Sequence, residues 1–181
     1  MAVLRGNDCR VAFAGLFLDL GFVFALAFVG MQVGQTIAMW WVYFHIGHKR
    51  GIHQIEHLVN PGQLARLVFT YFHVPIVAGI VISAVARERA IVHPGDAGVL
   101  AESASAIGGL RLFLLGNGLV KRVSAGDFPL SHWVGLGLCG VAVAAGPWTT
   151  LLGLNLGALG ILVVVPVWEN RSFASGMPAE A

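Results

Sequence analysis

Four of the seven histidines lie between His45 and His57. His45 and His48 are three residues apart, and His53 and His57 are four apart with Glu56 between them. On a helix such pairs share a face, and imidazole is a common ligand for zinc or copper. His45, His48, His53 and His57 are therefore candidate ligands for a divalent metal at a membrane surface. They could equally form a pH-sensitive hinge, since unperturbed histidine titrates near about 6.5. The competing expectation is a solvated loop whose histidines, with Lys49 and Arg50, meet lipid headgroups. There is no HExxH, and no cysteine lies nearby to complete a structural zinc site. The expected cofactor content is none, with a divalent metal as the one alternative.

A second, sparser group sits inside apolar sequence. His73 and Pro75 interrupt LARLVFTYFHVPIVAGIVISAVARE, residues 64–88. A proline there removes one donor and frees the carbonyl of Tyr71, four residues earlier. Such a break persists in lipid only where neighbouring helices, hydroxyls or water satisfy the backbone. His73 is thus expected to face protein, as a proton relay, a haem ligand or a hydrogen-bonding group that orders the kink. Haem ligation would need a second axial ligand at similar depth, and no other histidine is expected deep in a span. Arg111 falls mid-span, where a charge costs between ~2.5 and more than ~10 kcal/mol depending on the scale. It is expected to turn into the bundle and meet a carboxylate, a row of carbonyls or water, with Asp19 and Glu102 as candidate partners. Asn117 and Asn155 would add hydrogen bonds in the same interior. The expected polar intramembrane site is His73, Pro75, Arg111, Asp19 and Asn117, with no catalytic residue assigned.

The elements that must position these residues follow from composition. The chain has 181 residues, 57% hydrophobic and 11% charged, with a mean hydropathy of +0.79. A soluble domain is about a quarter charged. The fold class expected is all-α, a polytopic transmembrane helical bundle of about five spans in one domain, residues 1–171. The spans are placed at about 11–46, 64–88, 100–120, 130–145 and 148–168, with a disordered tail at 172–181. The first, taken as one helix, would be about 50 Å long, so it projects from the membrane, tilts or bends near Gly30–Gly34. Its length and Asp19 argue for a retained span rather than a signal peptide. Trp40, Trp41, Tyr43 and Phe44 read as an interfacial aromatic belt.

A net charge of +2 excludes nucleic acid as an expected partner; the bilayer is the expected one, with a second copy of the chain or a missing N-terminal half beside it. Cys9 and Cys139 lie in different settings, and no CxxC pair occurs. Lys and Arg divide slightly in favour of a cytoplasmic C-terminus. The 24 glycines include small pairs at Gly30-x3-Gly34, Gly79-x3-Ser83 and Gly153-x3-Gly157, which let membrane helices approach closely.

The run Trp40-Trp41-Val42-Tyr43-Phe44, a basic loop, and Tyr71-Phe72-His73-Val74-Pro75-x3-Gly79-Ile80-x3-Ala84 resembles the C-terminal half of the bacterial low temperature requirement A (LtrA) membrane proteins. The likeness covers roughly residues 38–171. Leu16 to Ala25 resembles the family's N-terminal signature, although Gly15 replaces its glutamate and His45 replaces an aspartate of the second motif. Family members are about twice as long, so the chain reads as a shortened paralogue, a fragment or a decaying gene product. The resemblance implies a multi-pass inner-membrane protein associated with growth in the cold, and supplies no catalytic mechanism. Three functions follow: solute or ion passage or support of the membrane under cold stress; a metal- or haem-dependent membrane enzyme using the histidine loop; and a structural or assembly subunit.

Overall fold

The computed structural model describes residues 21–44 except 24 and 27, 67–96 except 94, 100–126 and 128–176. Five long helices account for nearly all of them. Helix α1 spans Gly21–Phe44. A π-helical turn, Leu67–Phe72, runs into α2, His73–Val92. Then come α3, Leu100–Ala125, and α4, Leu130–Ala145. A 3-10 turn at Gly146–Trp148 leads to α5, Leu151–Gly176.

Four of these helices are long and apolar enough to cross a membrane: Gly21–Phe44, Ala101–Ser124, Leu130–Trp148 and Leu151–Ser172. The remaining one is α2 with its π turn. Its last turns carry Arg87, Glu88 and Arg89, which keep it from counting as a span on composition alone. Large apolar side chains cover the outside of the bundle, among them Phe22, Ile37, Val77, Val81, Trp133, Val141 and Trp148. A soluble monomer rarely exposes so continuous an apolar surface. Lipid is the solvent that such a surface fits.

Tyr43 near the end of α1 meets His73 at the start of α2, and the later connections are short, so successive helices are antiparallel and the bundle has two distinct ends. One end gathers the C-termini of α1, α3 and α5 and the N-termini of α2 and α4. The other holds the α2–α3 and α4–α5 connections, joined where the Leu151 N–H donates to the Asp96 carbonyl at 3.1 Å. Helix α3 is central and packs against α2, α4 and α5. It presents Ile107, Leu110, Phe113 and Leu114 to a core shared with Cys139, Leu162 and Val165, all at most 1% exposed.

The closest approach is between α2 and α3. A Cβ on Gly79 would lie 2.6 Å from the Phe113 nitrogen and 2.7 Å from the Gly109 carbonyl oxygen, and one on Gly109 would lie 2.6 Å from the Ser83 nitrogen. The Gly79-x3-Ser83 pair is therefore a true backbone contact. Gly30 and Gly157 have open space in front of them, and Gly153 faces the threonines of its own first turn. Gly34 packs against Leu159 of α5 at ordinary van der Waals distance, so neither pair makes a backbone approach like that of Gly79 and Gly109.

One expectation takes a definite form and another needs correction. The break expected at Pro75 is a π turn just before it, in which Phe72 keeps helical angles (φ −84°, ψ −17°). A π turn relieves the crowding that a proline ring causes one turn back. The disordered tail expected from residue 172 is helical as far as Gly176. Just before that stretch Glu169 pairs with Lys121, and Asn170 and Arg171 also make contacts.

Candidate functional site

Three helices meet around one carboxylate at the end of the bundle where α3 stops and α4 starts. Gly126 takes the left-handed conformation (φ +86°) that closes α3, and its N–H bonds the Arg122 carbonyl at 2.9 Å. Pro129 then begins α4 with an extended backbone, which turns Ser131 and His132 inward. Lys121 Nζ donates to both oxygens of Glu169, at 2.8 and 3.1 Å. Ser131 Oγ donates to Oε1 at 2.7 Å, and His132 Nδ1 lies 3.1 Å from the same oxygen.

All four side chains are buried, His132 completely. Phe128 seals the cluster, its ring edge-on to His132 with centroids 6.0 Å apart. Gly118 leaves room for that ring. With Nδ1–H donating to Glu169, the other imidazole nitrogen, Nε2, is buried without a partner among the described residues. The arrangement can hold a proton at Nε2 beside an already paired carboxylate. Opening it would expose both charges of the Lys121–Glu169 pair.

A second site lies between α1 and α2. A cleft of about 450 Å³ is walled by Met39, Trp40, Phe44, Ile76, Val77 and Ile80 and floored by Phe113. Tyr43 and His73 stand at one end, the hydroxyl 3.5 Å from Nδ1. The rings meet edge-on with centroids 5.8 Å apart. Arg87 also lines the cleft. Its side chain is 5% exposed, yet Nε and Nη1 have no hydrogen-bond partner among the described residues. Ser83 Oγ, one turn earlier on the same helix, and Gln35 Oε1 on α1 are likewise buried and unsatisfied.

The expected polar site is only partly assembled. His73 and Pro75 open α2 beside Tyr43, and Asn117 is buried on α3. Arg111 corrects the expectation made for it, because it points out of the bundle. The inward stripe of α3 is Ser103, Ala106, Leu110, Phe113, Asn117 and Lys121, and Arg111 stands outside that phase. Glu102, named as its partner, pairs instead with Arg89 at 3.0 Å. Asn155 bonds within its own helix, to the Leu151 carbonyl at 2.9 Å. Asp19 and the histidines His45, His48, His53 and His57 lie outside the described residues. Within the described ones, no three His, Cys, Asp or Glu side chains group to hold a metal.

The family model for the bacterial low temperature requirement A protein (LtrA) matches residues 25–167, most of the chain. The chain belongs to the LtrA family. It is 37% identical over 134 residues to "Uncharacterized protein RA0937" of Rhizobium meliloti (strain 1021), covering 74% of this chain and 33% of that protein. The chain thus spans about a third of the length of the relative it matches. No solved structure matches it.

The LtrA segment contains both sites, apart from Glu169, which lies just beyond residue 167. Lys121, Ser131, His132, Glu169 and Arg87 were not singled out from sequence. Lys121 and Glu169 sit where a span end was expected, and charged residues there ordinarily face water. Their phase was the usable signal. Glu169 continues the inward stripe Ala158, Ile161, Leu162, Val165, and Lys121 continues that of α3. His132 is buried as well, but two residues inside the start of α4, at the end of the bundle and not deep in a span.

Proposed function

We propose that this LtrA-family protein is an inner-membrane transport protein in which proton binding at the Lys121–Glu169–Ser131–His132 cluster is coupled to movement of α3 against α4 and α5. The observation that carries this reading is the cluster itself: ionisable groups from three membrane helices, buried and converging on one carboxylate. Ionisable residues inside membrane bundles mark ion pathways and proton relays by default. His132 supplies a nitrogen able to take a proton, and its arrival would place a second positive charge beside Lys121 in a closed site. The resulting repulsion favours an opened arrangement. The family description supports a role in growth at low temperature.

The test uses the proton as probe. Full-length protein in liposomes carrying an internal pH-reporting dye should accelerate proton entry under an imposed potential. Glu169→Gln should reduce that entry several-fold, and Arg89→Gln should leave it unchanged. Wild-type rates equal to those of protein-free liposomes would overturn the reading.

A second reading, an assembly subunit, is favoured by Arg111. A charge on the outer face of a span at mid-depth is costly in lipid, and a second copy of the chain packed on α3 would remove that cost. Cysteine introduced at Leu115, exposed on α3, should crosslink between copies in native membranes; no crosslinked dimer would exclude it.

A further inference from the structure

Arg87 presents a problem that the described residues do not solve. A buried guanidinium is normally paired, since leaving a charged group unsatisfied costs more than leaving a neutral one so. Here two of its three nitrogens are buried without an acceptor, and the side chain borders an apolar cleft. Its depth narrows what the acceptor can be. Five residues, about 7.5 Å of helix, separate Arg87 from Val92, the last residue of α2. Beyond Val92, His93 and Asp96 are exposed, as is the Arg89–Glu102 ion pair. That end of the bundle is a membrane surface, and Arg87 lies just inside it, at the level where headgroups meet hydrocarbon.

From Arg87 the cleft runs toward Tyr43 and His73 at the opposite end of α2. Fourteen residues of helix are about 21 Å, enough for an acyl chain of one leaflet, which spans about half of ~30 Å. The walls between are aliphatic and aromatic side chains, including the exposed Val77, Ile80 and Trp40, so the trough suits a hydrocarbon chain entering sideways from lipid. A cationic recess between membrane helices is a recognition site for anionic headgroups. We propose that this cleft binds an anionic phospholipid, its phosphate accepting from Arg87 and one acyl chain lying along α2 against Ile76, Val77 and Ile80.

The site is separate from the Lys121 cluster and does not depend on proton transport. Native mass spectrometry of the full chain in a neutral detergent tests it, with phosphatidylglycerol and phosphatidylcholine of identical acyl chains as probes. Phosphatidylglycerol should bind wild type at least tenfold more tightly than Arg87→Gln, while Arg89→Gln, exposed two residues away, should match wild type. Ile80→Trp fills the trough without touching the charge and should also weaken phosphatidylglycerol at least tenfold. It keeps the test decisive if Arg87→Gln fails to fold. Equal phosphatidylglycerol binding by wild type and both variants would overturn the proposal. So would displacement of the lipid by excess inorganic phosphate, which would make the site one for a free anion.

Discussion

The two buried cations of this bundle stand in opposite circumstances. Lys121 is met by both oxygens of Glu169, and that carboxylate is completed by Ser131 and His132. Arg87, buried to a similar degree near the other end of the bundle, borders an open cleft with two nitrogens unsatisfied. The same low-dielectric interior surrounds both. The difference is whether a described residue supplies the counter-charge: one end is sealed by the protein itself, while at the other, as proposed above, an anionic lipid meets the charge.

The largest expected effect falls on the sealed end. Glu169→Leu leaves Lys121 uncompensated, and breaking a buried pair by removing one partner costs about 3–5 kcal/mol. A large drop in the thermal unfolding midpoint in detergent is expected. Lys121→Met combined with Glu169→Leu should recover most of it, because charge balance and not the pair itself is what the fold requires. If the double variant were as unstable as the single, the cluster would be tied to packing by more than charge balance.

Next in size is the α2–α3 crossing that lies between the two sites. Gly109→Val drives a side chain into Ser83 and the Gly79 carbonyl, and overpacking of this kind costs about 1–3 kcal/mol. Gly157→Val, on an open face, should cost far less in the same melting assay. Equal losses would mean that the close approach is not what joins α2 to α3.

The smallest effects belong to exposed charges. Arg89, 68% exposed, pairs with Glu102, and surface ion pairs contribute about 0–1 kcal/mol. Arg89→Gln should leave the midpoint nearly unchanged. Arg111→Leu in detergent should likewise shift stability by no more than about 0.5 kcal/mol; a larger loss would show that Arg111 has a partner over α3 even in the micelle.

Much of the scaffold was legible in the letters. Long apolar runs bounded by Gly-Pro and Pro-Gly punctuation specify membrane helices because lipid leaves the backbone few other choices, and Gly79-x3-Ser83 marked the tightest contact. The charged sites were harder to read. Lys121 beside Arg122, and Glu169 beside Asn170 and Arg171, look like ordinary water-facing span ends until their phase against Leu114 and Val165 is followed. Arg111 misled in the opposite sense, since depth suggested burial and the phase of α3 turns it outward. Arg87 lay in an Arg-Glu-Arg run in which only the helical rotation separates the buried residue from its two exposed neighbours. Pairing across helices depends on rotation and on which helices are neighbours, and neither is written in a local window.

The central claim, one counter-charge supplied by the chain and the other by lipid, is tested most directly by melting Arg87→Leu against wild type twice, in lipid-free detergent and with phosphatidylglycerol added. Removal of an unsatisfied buried charge should raise the midpoint without lipid, by the equivalent of about 1 kcal/mol or more. With phosphatidylglycerol present, wild type alone should gain stability, and the order should reverse. A variant that melts below wild type without lipid, or gains as much from phosphatidylglycerol as wild type does, would contradict the account.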